Sequence, residues 1–217
     1  METAKARINM VQNQLRPNRI DDPAVLEAMG EIPREAFLPK TMASVAYIDE
    51  DLPIAGGGNL IEPLAFARMV QAAELKPSDT VLVVGCTTGY CAAVINRLAQ
   101  AVIDLEPASV EIESVNAVYD RLGIDSIVVI PSEDLSQGLA DQAPFDAIFV
   151  CGEIAAPSPA WIEQLAEGGR LCAVVANSRV GRVTVFRKSG GHVGSSIIAD
   201  AAIPPLPLPE KAPAFDF

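Results

Sequence analysis

The chain has 217 residues, half of them apolar and a fifth charged, which suits one well-packed α/β domain with a modest extension and excludes a disordered protein. A formal charge of −12 and a pI near 4.5 argue against nonspecific nucleic-acid binding, which needs clustered Lys and Arg. No signal peptide or membrane span is visible, and the four cysteines (Cys86, Cys91, Cys151, Cys172) lack metal-type spacing, so a cytoplasmic protein with reduced thiols and no metal site is expected.

An N-terminal helical region comes first, with Ala4–Leu15 and then Asp22–Met29, where Asp21 or Asp22 caps a helix opened by Pro23. Ile32–Pro39 is a short Pro-bounded segment. Leu52–Pro63 is a loop carrying Gly56, Gly57 and Gly58, whose flexibility has a use where backbone passes close to a ligand. Leu64–Glu74 reads as an amphipathic helix that closes at Lys76-Pro77. From there strands at Thr80–Val84, Ala101–Leu105, Ser126–Ile130, Ala147–Cys151 and Arg170–Ala176 alternate with helices at Tyr90–Ala99, Pro107–Leu122 and Pro159–Ala166. Arg182–Arg187 and Val193–Ala199 flank Ser189-Gly-Gly-His192 as an antiparallel edge hairpin. The only histidine, His192, sits in that turn, which leaves Ser-His-Asp and Cys-His catalysis without support. The tail Ile203–Phe217 is proline-rich, and either lies along its own domain or docks on a partner's aromatic groove.

The most informative stretch is Val81-Leu-Val-Val-Gly-Cys-Thr-Thr-Gly-Tyr90 followed by Val102-Ile-Asp-Leu-Glu106. Four successive apolar residues suit a strand buried on both faces. Gly85 and Gly89 permit a sharp turn and close approach of a ligand at a helix N-terminus. Glu106 falls at the end of the next strand, where a carboxylate binds ribose hydroxyls; the bland alternative is a strand-end surface carboxylate. Asp104 reads as a local structural or surface group. The NAD fingerprint is broken by Thr87, which stands where its second glycine belongs.

The expected architecture is therefore α/β, with a doubly wound, mostly parallel, seven-stranded Rossmann-like sheet, an antiparallel edge hairpin and an N-terminal helical extension. Residues 1–78 form the helical region and substrate loop, 79–202 the cofactor-binding core and 203–217 the tail.

From Arg7 to about Val175 the chain resembles the protein-L-isoaspartate O-methyltransferase family. The resemblance rests on Met10-Val-Gln-Asn-Gln-Leu-Arg16, Asp22-Pro-Ala-Val-Leu-Glu-Ala-Met29, Ile32-Pro-Arg-Glu-Ala-Phe-Leu-Pro39 and Leu52-Pro-Ile54. It continues in Pro144-Phe-Asp-Ala-Ile-Phe-Val150 and Gln164-Leu-Ala-Glu-Gly-Gly-Arg-Leu171. It implies a methyltransferase that uses S-adenosylmethionine and takes a peptide or protein carrying an isoaspartyl-type carboxylate, with no nucleic-acid or membrane partner. Carried over residue by residue, it implies cofactor contacts at Gly85, Cys86, Thr87, Gly89, Tyr90, Glu106 and Glu133, and a substrate loop with Gly56, Gly57, Gly58 and Glu62.

The chain departs from the family at the chemistry. Ala55-Gly-Gly-Gly-Asn-Leu-Ile-Glu-Pro63 puts Ile61 at the family's serine position, with Asn59 or Glu62 as a substitute polar group. Val83 replaces an acidic residue, and Ser132-Glu133-Asp134 replaces Gly-Asp-Gly. A carboxylate nucleophile is ionised at neutral pH and needs orientation, not a base. Isoleucine cannot supply an orienting hydrogen bond. A weak or altered carboxyl methyltransferase is the main expectation, and a catalytically silent relative acting as a binding module is the alternative.

Overall fold

The computed structural model describes residues 2–54, 58–176 and 180–208. Helix α1 (Glu2–Asn9) runs directly into a π-helical turn, Met10–Leu15, in which the Arg16 N–H donates to Val11 O. Asp22 caps α2 (Pro23–Glu31) as expected, its Oδ1 accepting from the Ala24 and Val25 amides at 2.8 and 3.3 Å. The glycine-bearing loop is a minimal antiparallel hairpin, β1 (Leu52–Pro53) against β2 (Asn59–Leu60). Of the expected substrate-loop glycines, Gly56 and Gly57 lie outside the described residues. Helix α3 (Pro63–Ala73) follows and ends on Glu74, in the left-handed region at φ 51°.

The main sheet begins with β3 (Thr80–Val84), whose Val81, Leu82, Val83 and Val84 have no exposed surface, as a strand covered on both faces demands. The following elements are α4 (Tyr90–Ile95), β4 (Ala101–Pro107), α5 (Ile112–Leu122), β5 (Ile127–Ser132), β6 (Phe145–Ile154), α6 (Pro159–Glu163), β7 (Leu165–Ala176), β8 (Gly181–Ser189) and β9 (His192–Asp200). They form a seven-stranded sheet of order β5-β4-β3-β6-β7-β8-β9, parallel through β7 and antiparallel in the last two pairs. The β8–β9 hairpin turns on Gly190 and Gly191, with φ of 58° and 75°; two positive φ values match the right-handed strand twist.

Three expected helices are shorter than their sequence signals, and α4 ends at Ile95 where the run to Ala99 suggests more. Pro107 belongs to β4, not to a helix start, because Glu106 and Pro107 remain paired with Pro131 and Ser132 of β5. The helix begins only at Ile112. Likewise Leu165 and Ala166 are strand, since β7 starts at Leu165, opposite Phe145.

One face of the sheet packs against α3, α4 and the N-terminal helices. The other holds Trp161, whose Nε1 donates to Leu135 O at 2.8 Å. Residues 203–208 return to the sheet, Ile203 joining the core of the first face and Leu206 that of the second. The Glu153 amide donates to Pro204 O at 2.8 Å and the Leu206 amide to Glu153 O at 2.9 Å, which buries Ile203 and Leu206. Up to Leu208 the tail thus lies on its own domain; the expectation of partner docking falls on 209–217, outside the described residues. No helix among the described residues is long and apolar enough to cross a membrane.

Candidate active site

The strand order reverses between β3 and β6, and in open α/β sheets the crevice at such a point receives the ligand. Gly85 leaves β3 at φ 70°, Thr87 follows at 59° and Gly89 at 83°, so three left-handed residues turn the chain into α4. A Cβ on Gly89 would meet Tyr119 Oη at 2.7 Å and Val115 Cγ1 at 2.8 Å, which leaves room for glycine alone. A Cβ on Gly85 would lie 2.5 Å from Leu206 Cδ1, and one on Gly152 would lie 2.6 Å from Leu206 Cα. The tail therefore walls the crevice at its centre.

Thr87 in a left-handed conformation costs about 1–2 kcal/mol. Three contacts hold it there. Its amide donates to Glu106 Oε2 at 2.8 Å. Its hydroxyl accepts from the Asn59 amide at 3.0 Å and donates to Asn59 O at 3.1 Å. Cys86, buried beside it, accepts the Cys91 amide at 3.1 Å.

Glu106 ends β4 as expected, but neither it nor Asp104 is a surface group; both are wholly buried. Their carboxylates and Cys86 Sγ lie within 4.8 Å of one another. Asp104 Oδ2 and Gly89 O are each 2.9 Å from the Tyr119 hydroxyl. The other oxygens, Asp104 Oδ1 and Glu106 Oε1, have no partner among the described residues. Burial above all, with the Asp104 charge adding to it at Glu106, raises both carboxyls well above their ordinary range.

The remaining expected residues divide. Gly58 packs on Thr87, where a Cβ would come within 3.1 Å of Oγ1. Ile61 is 2% exposed and its side chain is part of the core, while its carbonyl accepts from Arg34 Nη2 at 2.9 Å. Tyr90 is fully buried, edge-on to Phe37 and Phe66 and beneath Arg34 Cζ at 4.8 Å; its ring is a packing group and not an open cofactor surface. Glu133 is exposed and shares no hydrogen bond with the glycine turn. Beside it, Asp134 caps the turn Leu135–Gln137 through the Ser136 amide at 2.9 Å. A cavity of about 550 Å³ opens between the hairpin, the turn Arg34–Phe37 and α5. Its lining includes Phe37, Ile54, Gly58, Thr87, Thr88 and Val115, so hairpin and glycine turn share one space.

Glu62 caps the hairpin side of α3, and its amide donates to Asp51 Oδ1 at 2.8 Å. Burial, then repulsion from Asp49 and Asp51, pushes its carboxyl up to about 7 from an ordinary 4.5. Between those values the folded chain holds a proton that the unfolded chain has lost, so stability falls as pH rises through the window. Glu62→Gln is expected to melt about 2–4 °C higher than wild type at pH 8, the equivalent of roughly 1 kcal/mol after solvent screening, with no gain at pH 4.5. Thermal melts at the two pH values check this; an equal gain at both contradicts the charge argument.

A mostly parallel sheet with this strand order, a glycine turn after β3 and a carboxylate near the end of β4 defines a Rossmann-like methyltransferase fold. The family model for protein-L-isoaspartate(D-aspartate) O-methyltransferase matches residues 6–206. A protein-L-isoaspartate O-methyltransferase of Koribacter versatilis (strain Ellin345) is 40% identical over 201 residues, 92% of this chain and 90% of its own. One from Roseiflexus sp. (strain RS-1) is 37% identical over 211 residues, 95% of this chain and 94% of its own. A solved protein-L-isoaspartate O-methyltransferase superposes with a TM-score of 0.79 at 25% identity, covering 92% of this chain and 65% of that one. A Plasmodium falciparum structure described as a beta-aspartate methyltransferase in complex with S-adenosyl-L-homocysteine has a TM-score of 0.77 at 21% identity, covering 92% and 97%, and supports the fold. The chain belongs to the protein-L-isoaspartate O-methyltransferase family, whose members are S-adenosylmethionine-dependent protein carboxyl methyltransferases.

Tyr119, Leu206 and Arg34 are site-shaping residues that carry no sequence signal of that role, and Asp104, expected as a local structural or surface group, is the buried structural one. Only Asp104, two residues before Glu106 on the same face of β4, left a usable signal.

Proposed function

We propose that this chain transfers a methyl group from S-adenosylmethionine to an isoaspartyl-type carboxylate of a peptide or protein. The observation that carries the reading is Glu106, fixed through one oxygen by the glycine-turn amide of Thr87 and left with a second, unpartnered buried oxygen. That oxygen is the acceptor for a ribose hydroxyl. The glycine turn supplies the cradle, and the residues present fit the cofactor at these two points. When bound, S-adenosylmethionine contributes an electrophilic sulfonium methyl.

The chain's own work is orientation. An acceptor carboxylate arrives ionised, so no residue has to remove a proton. Gly58 lines the shared cavity, where its backbone can hold the acceptor against the glycine turn, and Asn59 follows it in the chain, bonded to Thr87. Ile61 supplies no hydroxyl, which supports slow or altered turnover; loss of such an orienting bond costs on the order of 10²-fold in rate. Four free, buried cysteines support a reducing, cytoplasmic setting.

Radiolabelled methyl transfer to an isoaspartyl peptide tests the reading, with the matching aspartyl peptide as control. Measurable base-labile label on the first and none on the second is expected. If the protein binds S-adenosylhomocysteine yet labels neither peptide, the catalytic part of the reading is lost and a binding module remains.

A further inference from the structure

We propose that Thr87 is a positioning residue that sets the acceptor hairpin against the cofactor carboxylate, so that both halves of the site are held through one residue. The inference rests on the methyltransferase reading and names a part of that site which neither half shows alone.

Hairpin β1–β2 has two residues in each strand, and its own backbone bonds cannot fix where it sits. Leu52 and Leu60 seat it in the core, and two polar anchors from outside complete its placement. At Ile61 the carbonyl is held by Arg34, on the core side. At Asn59 both backbone groups are held by one hydroxyl, that of Thr87, on the cofactor side. The same residue's amide orients Glu106. Thr87 is thus bonded to the cofactor carboxylate through its backbone and to the acceptor loop through its side chain, and it borders the cavity that the hairpin and the glycine turn share.

The residue type supports the assignment. A left-handed φ of 59° favours glycine, and glycine would relieve the strain. Glycine would also remove the clasp. A β-branched side chain at such a φ persists only where its surroundings compel it, and here the compelling contacts run across 28 residues to Asn59.

The test uses Thr87→Val, which keeps shape and backbone but loses the hydroxyl, with Thr87→Ser as the conservative rescue. Thr87→Ala replaces the valine variant if that one fails to fold. In Thr87→Val the Asn59 amide is expected to exchange with solvent about tenfold faster, as for loss of a hydrogen bond. KM for an isoaspartyl peptide should rise by a similar factor, while kcat and the S-adenosylhomocysteine Kd stay within about threefold, because the amide bond to Glu106 remains. Thr87→Ser should return exchange and KM to near wild type. Equal loss in kcat and cofactor affinity, or failure of serine to rescue, would show a structural residue only and overturn the role. A wild type that neither binds S-adenosylhomocysteine nor transfers methyl overturns the function reading and this role with it. An active wild type with an unchanged Thr87→Val overturns the role alone.

Discussion

Replacing Arg34 by alanine is expected to lower stability by about 3–4 kcal/mol and Tm by roughly 10 °C, from the loss of two charge-assisted hydrogen bonds. Arg34 is fully buried and has no carboxylate partner among the described residues. Its charge rests on Ala46 O at 2.7 Å, Ile61 O at 2.9 Å and the face of Tyr90. Alanine leaves both carbonyls buried without a donor and opens a hole under the ring. Lysine restores the charge without the fork that reaches two carbonyls, so Arg34→Lys should recover less than half of the loss. Urea unfolding with an unchanged slope would measure it. A loss below about 1 kcal/mol would mean that the hairpin relaxes to recover its bonds.

Glu106→Gln is expected to weaken S-adenosylhomocysteine by about tenfold, the equivalent of one hydrogen bond lost where an amide nitrogen takes the place of a carboxyl oxygen. Stability should move the other way. Because burial raises the Glu106 carboxyl, the folded chain binds a proton that the unfolded chain gives up above the ordinary range, and stability falls as pH rises from there. A neutral amide is free of that loss, so the variant should melt higher than wild type at pH 8 while binding ligand less well. Calorimetric titration and thermal melts read the two effects separately. Unaltered affinity would remove Glu106 from the cofactor site.

The sheet was legible because its signals are local. Val81–Val84 is an unbroken apolar run, and Gly190-Gly191 between two alternating runs admits one turn geometry. Gly85, Gly89 and Glu106 were legible because the motif fixes their place on adjacent strand ends. What escaped is long-range. Nothing near Thr87 announces a bond to Asn59, and nothing near Arg34 announces one to Ile61. Pro107 carries a local preference for opening a helix, whereas the ladder with β5 that overrides it is tertiary. Prolines 204, 205 and 207 drew attention to the extended backbone of the tail and away from Leu206, whose burial depends on two glycines far upstream.

That burial bears on which changes the chain tolerates. Gly85, Gly152 and Leu206 are fitted to one another, the leucine lying where two side chains are missing. Alanine at Gly152 would press on the Leu206 backbone and lift the whole segment, whereas at Gly85 it would meet a methyl group at the end of the leucine side chain. The wall of the crevice is thus written in two upstream segments as much as in the tail itself.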